Sequence, residues 1–182
     1  MHNTILPFTR FLAGPGDYAP VTFDPTELGD TAFVHQLASA GIFTSPLQRW
    51  SAVPELLAAQ TDALDVIQAM PSIWDETLVL PSRIGELVAF ARRTGDRWFL
   101  FILNGSSVEA VTIEGLQLAF LGDGIYDAVY LGSDTPTSWV RFEEAAVERT
   151  AAISVPMLPG GGFVAMFTPP APQASQRRNS KR

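Results

Sequence analysis

Cysteine is absent from the 182 residues, which excludes a disulfide framework, a thiolate metal site and a cysteine nucleophile. Histidine occurs only at His2 and His35, which leaves little room for a histidine-rich metal site. No uninterrupted apolar run approaches the ~18–20 residues of a membrane helix, so we expect no membrane span. The amino-terminal residues also lack the basic start and apolar core of a secretory signal.

The composition that is present is ordinary for a folded protein, with 47% hydrophobic and 17% charged residues, and this excludes intrinsic disorder. The net charge is −7, but four positive charges lie in the last six residues, so residues 1–176 carry −11. An acidic body repels phosphates, and we therefore expect no nucleic-acid partner. Residues 171–182 are predicted to be a disordered basic tail.

The first 71 residues carry one strand signal and two helix signals. The apolar run Thr4–Phe8 predicts a short strand, followed by a loop rich in glycine and proline. Helical spacing of apolar residues then predicts a helix through Ile42, so that residues 1–50 form one βα unit. Residues 51–71 predict a linking helix that begins near Pro54 and ends at Pro71.

From residue 72 the pattern changes to short strands separated by turns. Asn104-Gly105 is a typical hairpin signal between two apolar runs. Seven segments are predicted as strands: 76–80, 86–94, 97–104, 108–113, 126–133, 146–156 and 163–168. The prediction is a mostly β protein, with a seven- to eight-stranded antiparallel β-sandwich over residues 72–170.

A size argument bears on residues 1–50. One βα unit cannot bury the outer faces of its own strand and helix, and a closed (β/α)8 barrel needs ~250 residues. Either this unit packs on the sandwich in some other way, or it is a remnant, the last turn, of such a barrel, with sequence missing upstream. Its uncovered apolar surface should make the isolated chain self-associate or aggregate.

The stretch TILPFTRFLAGPGDYAP, at residues 4–20, resembles the end of the catalytic barrel in glycoside hydrolase family 97, which contains bacterial α-glucosidases and α-galactosidases. The resemblance continues in the same order at four further motifs and a turn: His35–Ala38, Ser45–Gln48, Trp74–Thr77, Ala91–Arg93 and Asn104-Gly105. It implies the last barrel segment followed by a carboxy-terminal β-sandwich that forms oligomer contacts, and hence a homo-oligomer.

The resemblance also limits what this chain does. Family members use acidic residues for catalysis, and glutamates also hold a calcium ion, at positions upstream of the LPFTR run. Residues 1–16 contain no acidic side chain, so the catalytic residues are not identified here and no cofactor is expected in this chain, although calcium is expected for the full-length family. We expect a carboxy-terminal fragment of an α-glycosidase that is inactive alone, with carbohydrate as substrate only of the full-length enzyme.

The family implies a periplasmic or secreted location. The alternative is a stand-alone carbohydrate-binding or interaction β-sandwich.

Two residues are candidates for substrate binding at the rim of the barrel. Asp17 lies on the loop after the predicted strand, where barrel enzymes place active residues, although it is also suited to hydrogen-bond its own turn. His2 immediately precedes that strand and is the second candidate. The adjacent acids Asp75 and Glu76 point to opposite faces of an extended segment, so they are a poor acid/base pair. No metal site is predicted. A sugar platform requires coplanar aromatic rings on one exposed strand face, which the alternation does not display.

Overall fold

The computed structural model describes residues 2–19, 22–43, 45 and 49–170. The basic tail predicted over residues 171–182 lies outside this part of the chain, as does most of the Ser45–Gln48 motif. None of the helices in the described ranges is long and apolar enough to cross a bilayer.

Two antiparallel sheets dominate the fold, which confirms the mostly β prediction. The larger sheet has six strands in the order β1-β2-β3-β8-β5-β6, and the smaller one pairs β4 with β7. The strands span Glu76–Val79 (β1), Leu87–Thr94 (β2), Arg97–Asn104 (β3), Val111–Gln117 (β4), Ile125–Gly132 (β5), Val140–Glu148 (β6), Ala152–Met157 (β7) and Gly162–Thr168 (β8).

Strand β3 shows how the layers are arranged, because both of its faces are buried. Phe99 and Phe101 join a cluster with the helical residues, whereas Leu100 and Ile102 join a second cluster with Val155 of β7. A strand that is apolar on both faces is typical of a sheet covered on both sides. The six-stranded sheet therefore lies between the β4–β7 ribbon and a helical layer.

Helix α1, Phe33–Ile42, packs on β3 and β8, and every residue in it except Gln36 is buried. The close approach depends on Gly41, because any side chain at this position would overlap the ring of Phe101. The expectation that this helix leaves its apolar side uncovered is wrong, since the sheet of the same chain covers it.

The strand predicted over Thr4–Phe8 is not formed. Three 3-10 turns replace it, at His2–Thr4, Leu6–Phe8 and Arg10–Ala13. The backbone closes locally, with the Phe8 N–H donating to the Ile5 carbonyl at 3.1 Å. No strand of the described chain pairs with this segment, and Pro7 is well suited to the start of a turn.

The linking helix predicted over residues 51–71 is two short helices, α2 at Pro54–Ala58 and α3 at Leu64–Ala69. The helical conformation is interrupted at the buried Gln60. Its side-chain amide donates to the Leu56 carbonyl at 2.8 Å and accepts from the Trp139 indole N–H at 2.9 Å. The hydrogen bond from Trp139 is the tertiary contact at the point where the predicted helix is interrupted.

The single strand predicted over residues 146–156 is also wrong. Its first residues are the end of β6, and a turn at residues 149–151 separates them from β7. Ala146 has a φ of 57°, within an irregularity of the β5–β6 pairing. Most of β6 was missed because its side chains are exposed on both faces and show no alternation.

Candidate functional site

The structure does not bring the two residues predicted to bind substrate into one cavity. Asp17 is exposed on the loop after the 3-10 turns. It lines neither the cleft at His2 nor the apolar groove described below. His2 lines a small polar cleft of about 190 Å³, to which Asp30, His35 and Asn104 also contribute. Both assignments stay predictions.

His35, at the back of this cleft, has a structural role. Its Nδ1 donates to the Gly161 carbonyl at 3.0 Å, and its Nε2 accepts from the Asn3 amide at 2.9 Å, the tautomer being assigned from these partners. Burial lowers the pKa of His35 to about 4, so the ring is neutral at pH 7. It connects the first 3-10 turn, α1 and the β7–β8 loop.

The acidic motif at Trp74–Thr77 is structural as well. Asp75 accepts from the Gly95 backbone N–H at 2.7 Å, and Glu76 forms an ion pair with Arg93 at 3.0 Å. The Trp74 ring packs edge-on against Phe99, with centroids 5.3 Å apart. The two acids therefore anchor the start of β1 and form no catalytic pair.

Within the described ranges, no three His, Asp or Glu side chains are grouped so that they could hold a metal ion. The residues described here thus do not fit the calcium site that the resemblance implies for the full-length family.

An apolar groove lies where the β4–β7 ribbon leaves the six-stranded sheet uncovered. It has a volume of about 490 Å³ and is lined by residues of β5, β6, β7 and β8. Its floor is a row of aromatic rings, in which Tyr130 stacks on Phe142 at 5.9 Å and 17° and on Phe163 at 6.1 Å and 27°. The Tyr130 hydroxyl donates to a Glu144 carboxylate oxygen at 3.1 Å. Burial, with the Glu144 charge in addition, raises the pKa of Tyr130, so it remains a donor.

Strand β6 forms the outer wall of this groove and one edge of the six-stranded sheet. Val140 is 47% exposed and Phe142 is 60% exposed, and Val147 is the only fully buried residue of the strand. On the opposite face, Arg141 binds both carboxylate oxygens of Asp65 at 2.8 and 2.9 Å, which fixes the strand to α3.

An exposed edge of this length invites pairing with another strand, because its outer N–H and C=O groups have no neighbour in the sheet. The opposite edge, β1, has only four residues. Sequence reasoning missed β6 as a site, and the available signal was limited to the two apolar residues Val140 and Phe142 on either side of Arg141.

Comparison with known proteins gives a consistent result. A probable retaining α-galactosidase of Streptomyces bingchenggensis is 32% identical over 166 residues, covering 91% of this chain and 25% of the relative. The retaining α-galactosidase of Bacteroides thetaiotaomicron is 26% identical over 179 residues, covering 89% and 26% respectively. The chain therefore spans about a quarter of the length of these relatives.

A solved glycoside hydrolase family 97 enzyme from Pseudoalteromonas sp. strain K8, in complex with acarbose, superposes with a TM-score of 0.82 at 26% identity. The match covers 92% of this chain and 28% of that enzyme. The family description "Glycosyl-hydrolase 97 C-terminal, oligomerisation" matches residues 73–168, more than half of the chain. The resemblance read from the sequence is thus confirmed: the chain belongs to glycoside hydrolase family 97 and contains its carboxy-terminal oligomerisation domain.

Proposed function

We propose that this chain joins copies of a family 97 α-glycosidase into a homo-oligomer and supports the catalytic barrel, without hydrolysing glycosides by itself. The observation that carries the proposal is the exposed nine-residue edge strand β6, with Val140 and Phe142 turned to solvent beside an apolar groove. Apolar surface of this kind on a soluble domain marks an interaction site.

The acidic residues of the amino-terminal segment support the absence of catalysis. Retaining hydrolysis needs two carboxyl groups about 5–5.5 Å apart across the scissile bond. Asp24 is engaged in its own turn, where it accepts from the Thr26 N–H at 2.9 Å and from the Thr26 hydroxyl at 2.7 Å. Asp17 is exposed.

Two of the relatives named above are a probable retaining α-galactosidase and a retaining α-galactosidase, so the proposed substrate class of the whole enzyme is an α-linked glycoside. His2 and Asp17 remain the proposed contributors to substrate binding at the barrel rim. The calcium of the full-length family is proposed to bind residues outside this chain, and the enzyme is proposed to act in the periplasm or outside the cell.

The experiment combines light scattering with an activity assay on the 182-residue chain. We expect a discrete oligomer at micromolar concentration and no turnover of aryl α-galactosides or α-glucosides. Replacement of Phe142 by Ser should shift the mass towards monomer, whereas Val79→Ser, at an equally exposed residue of β1, should not. A monomer at every concentration would refute the oligomer role, and turnover at ordinary enzyme rates would refute the inactivity.

Carbohydrate binding by the sandwich itself is the second candidate. The groove favours it, because the exposed Phe142 ring lines the groove and lies within 17° of the plane of the buried Tyr130 ring. Calorimetric titration with α-galactosides and α-glucosides tests it. Saturable heat that disappears in Phe142→Ala would favour this role, and no heat at millimolar sugar would exclude it.

A further inference from the structure

We propose that two copies of the chain join through antiparallel pairing of their β6 strands across a two-fold axis at Phe142. The two six-stranded sheets would then form one continuous twelve-stranded sheet. This inference rests on the proposed oligomer role and specifies the surface and the register. Pairing of an edge strand with a second copy satisfies the outer backbone groups of both edges at once.

The length of the pairing segment follows from the irregularity within β6. Regular pairing with β5 runs from Val140, opposite Gly132, to Glu144, opposite Ala128, and then shifts register. Beyond Glu144, the left-handed backbone at Ala146 interrupts the regular edge. The straight part of the strand is therefore the five residues 140–144, and its midpoint is Phe142.

Symmetry restricts the register further. Residues opposite each other in an antiparallel pair point to the same face of the sheet, and a two-fold axis through the sheet maps each strand onto the other. The axis must therefore pass between two copies of the same residue. An axis at Arg141, Glu143 or Glu144 would place like charges directly opposite each other, which destabilises a pair.

An axis at Phe142 avoids every such conflict. Arg141 of each copy faces Glu143 of the partner subunit, and Val140 faces Glu144 of the partner subunit. Arg141 is already oriented at this site by its ion pairs with Asp65 at 2.8 Å and with its own Glu143 at 2.7 Å. The two Phe142 rings meet at the centre and extend the aromatic row that begins at Phe163 and Tyr130.

The absence of cysteine makes this register directly testable, since each introduced thiol is the only one in the chain. Opposed residues lie about 4.5–5.5 Å apart between Cα atoms, within the range that a disulfide spans. Phe142→Cys should therefore form a disulfide-linked dimer under mild oxidation. Val79→Cys, equally exposed on the opposite edge, is the matched control and should stay monomeric on a non-reducing gel.

Two further variants keep Phe142 and test the register. In the proposed pairing, the two copies of residue 140 are four residues apart along the strand, about 13–14 Å, which is too far for a disulfide. Val140→Cys alone and Glu144→Cys alone should each give no cross-link, whereas an equimolar mixture should give the cross-linked heterodimer. All three substituted residues are exposed, so the fold should tolerate the changes.

The outcomes separate this inference from the proposal on which it depends. Cross-linking by Phe142→Cys and by the mixture, at least ten-fold faster than by Val79→Cys, supports the register. A wild-type oligomer without these cross-links, or efficient cross-linking of Val140→Cys by itself, overturns the inference but leaves the oligomer role. A monomeric wild-type chain overturns both.

Discussion

The replacement of Gly41 by Ala tests how α1 is held against the sheet, because two effects of opposite sign meet at this residue. In an exposed helix interior, the change stabilises by about 0.5–1 kcal/mol. Here the added methyl group would overlap the Phe101 ring, which is fully buried. The ring cannot move aside freely, since Trp74 lies 5.6 Å from it and Phe99 lies 5.8 Å from it, between centroids.

Overpacking of a dense core typically costs about 1–3 kcal/mol. We therefore expect Gly41→Ala to lower the free energy of unfolding by about 1–2 kcal/mol, which for a chain of this size is a fall of about 2–8 °C in Tm. Urea titration followed by tryptophan fluorescence measures it. In a Phe101→Leu background, the smaller side chain should reduce the penalty of the glycine replacement. A Gly41→Ala variant as stable as the wild type would refute the close approach of α1.

Two other replacements test the buried neutral His35 and the backbone strain at Ala146. The pKa of His35 is about 4 in the folded chain and 6.5 in the unfolded chain. Between these two pH values the unfolded chain is protonated at His35 and the folded chain is not, so the free energy of unfolding should fall by about 3 kcal/mol as the pH is lowered from 6.5 to 4. In His35→Gln, the urea midpoint should lack this part of the pH dependence. Parallel pH profiles of the wild type and the variant would contradict the folded pKa of His35. Ala146→Gly should stabilise by about 0.5–1 kcal/mol, because glycine adopts a φ of 57° without strain, and a lower Tm would contradict this.

The strand that the sequence predicts exactly is Arg97–Asn104, and local chemistry explains why. Its apolar residues are buried on both faces, and Gly95 supplies the positive φ of 56° that its turn requires. Both signals lie within the strand and its turn. Thr4–Phe8 carries a similar apolar signal, but a strand also requires a partner edge, which local sequence does not reveal.

The candidate site was hidden from sequence reasoning for a related reason. The edge position of β6 depends on the strand order β8-β5-β6, which connects segments far apart in the chain. Its exposed side chains remove the alternation by which a half-buried strand is recognised. A residue such as Phe142, apolar and 60% exposed, becomes informative only when the strand order is known.

The two edges of the large sheet support different roles, and burial decides between them. At the β1 edge, Phe8 and Phe11 of the 3-10 turns lie beside Val79 around one apolar pocket, so the amino-terminal segment already covers part of this edge. At the β6 edge, α3 contacts the face that carries Arg141, and among the described residues nothing covers the Phe142 face. Because part of the β1 edge is covered and the Phe142 face of β6 is exposed, the proposed contact between copies is better placed at β6.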